Sequence, residues 1–166
     1  MFQRLLVAID GTETSDVTLS FAGALAQYSG AVVHVLYVNE YIVGSRGIPL
    51  HTNAEATELL TGAVDLLRAQ GLRVTGSAPR ASYRQVPQHI VASAADFSAD
   101  AIVVGTRRRR RLGRLFSAHV REHTIRLTSL PVIAAPAPLD LPADGRLVMD
   151  EILDVERDRT RSLSAQ

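Results

Sequence analysis

Three short stretches of this chain, Phe2–Ile9, Ala31–Val38 and Ala101–Gly105, are apolar at nearly every position. A strand with one wet face alternates. A strand with almost no polar positions must be covered on both faces, the condition of a parallel sheet held between helices. The intervals carry the helical period instead. Thr14 stands as an N-cap ahead of Val17, Phe21, Leu25 and Tyr28, which share one helical face, and Gly30 ends that helix. Thr52 and Glu55 form a capping box for a second helix, which buries Leu59/Leu60, Ala63 and Leu66/Leu67 and stops at Gly71. Pro87 starts a third, with Ile90, Val91 and Ala94 inward. The fourth runs from about Leu115 to Leu127 and buries Leu115/Phe116, Val120 and Leu127.

Two weaker strands complete the pattern. Leu72–Ala78 alternates and contains Gly76, which marks a less buried edge, and Leu130–Ala135 is the last strand. Asn39–Leu50 is expected to be a polar loop with Gly44, Gly47 and Pro49. Strands alternating with crossover helices predict an α/β fold with helices on both faces: a five-stranded doubly wound parallel sheet of order 3-2-1-4-5. Residues 1–136 carry this domain. Pro136, Pro138 and Pro142 open a stiff linker into an acidic tail over 137–166, with one short helix expected at Leu147–Val155 and a frayed end at Arg157–Gln166. A sheet of this order takes ligands where the strand order reverses, at the carboxyl ends of strands one and four. Those ends are Ile9-Asp10-Gly11 and Val104-Gly105-Thr106.

The segment after Gly105 is unusual for such a loop, because Arg107 to Arg111 are five consecutive arginines. All 18 basic residues of the chain are arginine, so each cation is a planar fork suited to phosphate and none can form a Schiff base. Residues 1–136 hold 14 Arg against 10 acids, and 137–166 hold 4 against 7, which together give the net charge of +1. Cations ahead of a helix N-terminus oppose its dipole unless an anion is bound, at a cost of only ~0.3–1 kcal/mol per exposed charge. A nucleic-acid interface is disfavoured. The domain is mildly basic, aromatic content is 5%, and no aromatic residue interleaves the run to stack on bases.

Other chemistry is thin. The chain has no cysteine, which excludes disulfides and thiolate sites and agrees with a reducing compartment. No apolar run nears the ~20 residues of a membrane span, and the N-terminal stretch reads as a strand rather than a secretion signal; a cytoplasmic protein is expected. His119 and His123 share a helical face, but Val120 stands where a zinc protease helix has glutamate, and no metal site is expected. His34, inside an apolar strand, reads as a satisfied core histidine, while His51 and His89 flank helix starts. With no nucleophile elbow and no carboxylate pair, no catalytic residue is assigned. Asp10 is the one acid expected at the switch point, where it contacts a ligand or a metal or caps the Gly11-Thr12 turn.

Several blocks, taken in order, resemble the universal stress protein family: Leu5-Leu6-Val7-Ala8-Ile9-Asp10-Gly11-Thr12-Glu13, Val35-Leu36-Tyr37-Val38, Ala99-Asp100-Ala101-Ile102-Val103-Val104-Gly105-Thr106-Arg107 and Ser129-Leu130-Pro131-Val132-Ile133. The resemblance covers roughly residues 2–136. It implies a Rossmann-like, adenine nucleotide alpha hydrolase-like fold and a stress-response role. It also implies ATP or AMP as ligand, magnesium only with ATP, and a homodimer through strand five, Pro131 to Ala135. ATP-binding members carry the loop G-x-x-G-x(9)-G-[ST]. Here Gly105 matches, while Arg108, Ala118 and His119 stand at the other three positions. The site expected from the resemblance is therefore degenerate: Asp10 against ribose, Val38 against adenine, with Gly105, Thr106, Arg107, Arg108, Ala118 and His119 around the phosphates. At most a weak ATPase is implied. The alternative is a nucleotide-independent interaction module whose Arg107–Arg111 loop docks on an acidic partner.

Overall fold

The computed structural model of the chain describes residues 1–12, 14–41, 49–106 and 116–136, with the side chains of 116–119 outside that description. The main sheet is built from β1 (Arg4–Ile9), β2 (Val32–Tyr37), β4 (Val74–Ser77), β6 (Ala101–Val104) and β7 (Val132–Ala134), all parallel, in the order β4-β2-β1-β6-β7. This is the expected order 3-2-1-4-5. Its register sets Leu5 beside Val33 and Ala101, and Ala8 beside Leu36 and Val104.

The apolar runs sort by parity, as period-two strands must. Leu5 and Val7 of β1, Val33 and Val35 of β2 and Val103 of β6 face α1 (Thr14–Ser29) and α2 (Asn53–Arg68). Leu6, Leu36, Ile102 and Val104 point the other way, toward α3 (Val86–Asp96), and Val120 of α4 (Phe116–Leu127) packs on the same layer. All four residues of β6 are buried, so a polar residue anywhere in that strand would need a partner in the core.

Some expectations are corrected. The segment from Asn39 is not all loop. Asn39–Tyr41 form β3, which pairs in parallel with β5 (Arg80–Ser82) as a small second sheet, and Tyr41 also bridges Pro49. The buried face of α1 is Ser15, Thr18, Leu19, Ala22, Gly23 and Ala26, small residues that let the helix lie close to the sheet. The larger Phe21 and Leu25 flank that seam, and Tyr28 is 82% exposed. Likewise α2 buries Ala56, Ala63, Val64 and Leu67 while Leu66 stays exposed, and Leu127 of α4 is exposed. Thr14 is the first residue of α1 itself. The capping box is present: the Glu55 N–H donates to Thr52 Oγ1 at 3.3 Å and the Thr52 N–H to Glu55 Oε2 at 2.7 Å. The acidic tail and its expected helix, and the arginine run, lie outside the described residues.

Candidate functional site

β1 and β6 are neighbours, yet the chain leaves β1 for α1 on one face and leaves β6 for α4 on the other. Their carboxyl ends therefore part around a crevice. Gly11 closes the turn after β1 with φ +71°, and a Cβ there would lie 3.3 Å from Leu59 Cδ1 and 3.4 Å from the Tyr37 ring, so glycine suits it twice over. Asp10 Oδ1 accepts from the Thr12 N–H at 3.0 Å, the Thr12 hydroxyl at 2.5 Å and the Ser15 hydroxyl at 3.1 Å. All three bonds fall on one oxygen. Asp10 thus caps the turn, and Oδ2 takes no hydrogen bond from a described residue.

Gly105 has a packing reason of its own. A Cβ at this position would meet Thr18 Oγ1 at 2.8 Å. Thr18 is 2% exposed and its hydroxyl donates to Thr14 O at 2.8 Å, so α1 approaches the end of β6 as closely as a glycine allows.

The far wall is held by the small sheet. The Asn39 N–H donates to Pro79 O at 2.8 Å and the Leu50 N–H to Glu40 O at 2.7 Å. Asn39, 1% exposed, donates through Nδ2 to His51 O at 2.8 Å and accepts the His51 N–H at 3.3 Å. The Tyr37 hydroxyl and His51 Nδ1 share a hydrogen bond of 2.5 Å. Burial, with Glu40, Asp10 and Glu55 nearby, pushes the Tyr37 hydroxyl up to about 12, so it stays protonated. Tyr83, beside β5, is raised by burial and by Glu40.

These elements enclose a cavity of about 70 Å3 over the crevice. Its apolar lining comes from Leu36, Val38, Val86, Ile90, Val104 and Val120. Its polar lining is Asp10, Thr14, Ser15, Thr18, Glu40 and Arg121, with the Gly105 backbone between. The structure brings Asp10, Val38 and Gly105 together, while Thr106 is half-buried and outside the lining; Arg107, Arg108, and the side chains of Ala118 and His119 lie outside the described residues. Sequence reasoning missed Glu40 and Arg121. Glu40 is 8% exposed, in a segment expected to be loop, and no local pattern sets Arg121 apart from the other arginines of the chain. A wider depression of about 740 Å3 lies between α1 and α2, but its rim carries Asp16, Glu55 and Glu58 and repels anions. Among the described residues no His, Cys, Asp or Glu cluster could hold a metal, and no helix is long and apolar enough to cross a membrane.

A doubly wound sheet with a polar-and-aliphatic crevice at its switch point defines a Rossmann-like α/β domain. The model of the universal stress protein family matches residues 1–136, and the chain belongs to that family. A universal stress protein from Archaeoglobus fulgidus superposes with a TM-score of 0.65 at 27% identity, over 82% of this chain and 100% of that one. The structure of the universal stress protein from Archaeoglobus fulgidus in complex with dAMP gives 0.61 at 25% identity, over 81% and 98%. A universal stress protein in complex with cAMP shares the fold, with a TM-score of 0.59 at 22% identity, over 80% and 95%. No curated protein matches the chain in sequence.

Proposed function

We propose that this chain is a cytoplasmic stress-response protein, at most a weak ATPase, that binds an adenine nucleotide, AMP or ATP, in the crevice between β1 and β6. One observation carries the reading: Asp10, Val38 and Gly105, far apart in sequence, line one cavity at the switch point, in a fold whose 25%-identical relative from Archaeoglobus fulgidus holds dAMP. Val38 and its aliphatic neighbours take the base, and the open oxygen of Asp10 takes a ribose hydroxyl. The phosphates lie at the Gly105 and Thr106 end of the crevice, toward Arg107, Arg108, Ala118 and His119. The site is degenerate because three of four glycine-loop positions are replaced, and magnesium enters only with ATP.

Native mass spectrometry of the purified chain is expected to find a co-purifying nucleotide, and calorimetry to register heat with AMP or ATP. No nucleotide in the first and no heat at millimolar ligand in the second would sink this reading. The replaced glycines favour the second reading in that case: the Arg107–Arg111 loop docks on an acidic partner without any nucleotide.

A further inference from the structure

Arg121 is half-buried in the wall of the crevice, on the second turn of α4. It is the one cation among the described lining residues. Its circumstances differ from those of the other helical arginines. Arg68 pairs with Asp65 at 3.8 Å, and Arg126 takes the carboxylate of Glu122 at 2.9 Å, although Glu122 is the sequence neighbour of Arg121. Arg121 itself has no carboxylate within 4 Å among the described residues, even though Asp10 and Glu40 line the same cavity. A half-buried arginine in a crevice wall, with no carboxylate of a described residue beside it, leaves its fork open to an anion that enters the crevice. Its planar fork matches two oxygens of a phosphate.

We infer that Arg121 is the phosphate-holding cation of this site and makes it select phosphorylated nucleosides over the nucleosides themselves. The inference rests on the nucleotide reading above and deepens it. Three of the four glycine-loop positions are replaced in the sequence, and a side chain of α4 adds a charged fork for the phosphate. The base and ribose contacts, made by Val38 and Asp10, are independent of Arg121, so the two halves of the ligand are recognised by separable groups.

The test is calorimetry at low ionic strength with adenosine and AMP as probes, on the full chain and on Arg121→Gln and Arg121→Lys. The wild-type chain is expected to bind AMP roughly ten- to a hundredfold tighter than adenosine. Arg121→Gln should bring AMP down to the adenosine affinity while leaving adenosine unchanged, which also reports that the variant is folded. Arg121→Lys should retain part of the preference. Equal wild-type affinity for AMP and adenosine, or an AMP preference that survives Arg121→Gln, overturns the inference while the nucleotide reading stands. Binding of neither probe overturns the reading and this inference with it.

Discussion

His34 shows how one residue can be read correctly for chemistry and only half correctly for place. It lies on the core-facing side of β2, but toward the open edge of the sheet, half-buried beside Phe97 at a centroid distance of 5.2 Å. Its two ring nitrogens meet the Thr75 and Ser77 hydroxyls at 2.8 Å each. Partial burial lowers its pKa from the ordinary 6.5. The folded state therefore holds the neutral ring to lower pH than the unfolded chain does, and the stability it contributes is present above 6.5 and lost as pH falls below that value. Melting temperature followed from about pH 7.5 to about 5.5 is expected to drop more for the wild type than for His34→Gln. Equal slopes would show that this ring does not carry the acid sensitivity. Glu55, lowered chiefly by the Thr52 backbone and hydroxyl bonds, acts in a separate window, below the ordinary 4.5.

At the scale of elements, the close contact between α1 and the end of β6 is the joint that shapes the crevice. Gly105→Ala forces a methyl against the buried Thr18 hydroxyl, at a cost of about 1–3 kcal/mol. Thr18→Ala in the same chain should recover much of that loss, because it removes the obstructing oxygen. Denaturant unfolding of the two single variants and the double variant measures this coupling, and simple additivity would discard the contact. The core strands were legible because Leu5–Ile9 and Ala101–Val104 have no polar position to hide, and the Thr52–Glu55 box marked its helix start to the residue. The face of α1 was not legible. Periodicity favours the bulkiest residues, whereas the seam is set by Ser15, Ala22, Gly23 and Ala26, whose smallness permits approach. β3 and β5 have three residues each and pair across some forty positions, too short for alternation to register.

The sheet order followed from two-sided strands and right-handed crossovers, and it located the crevice before any side chain was placed. The residues completing the crevice were harder to foresee, since Glu40 and Arg121 reach it through tertiary packing that no local pattern announces. Assembly belongs to this scale as well. We propose that two copies pair through β7, where Pro131 and Ala134 are exposed at the sheet margin. Sedimentation equilibrium is expected to give a dimer for the wild type and a shift toward monomer for Ala134→Lys, which sets like charges against each other across the joint. A monomeric wild type would discard the pairing.

The opposite margin of the sheet behaves differently. The Val33 N–H donates to Arg73 O, so the parallel register turns the backbone groups of Val74 away from β2. The Val74 carbonyl is already taken, by Arg68 Nη2 at 3.0 Å and Nε at 3.3 Å. An incoming strand would have to displace a guanidinium to find its first acceptor. That margin therefore offers a visiting strand one acceptor fewer than its backbone alone would suggest.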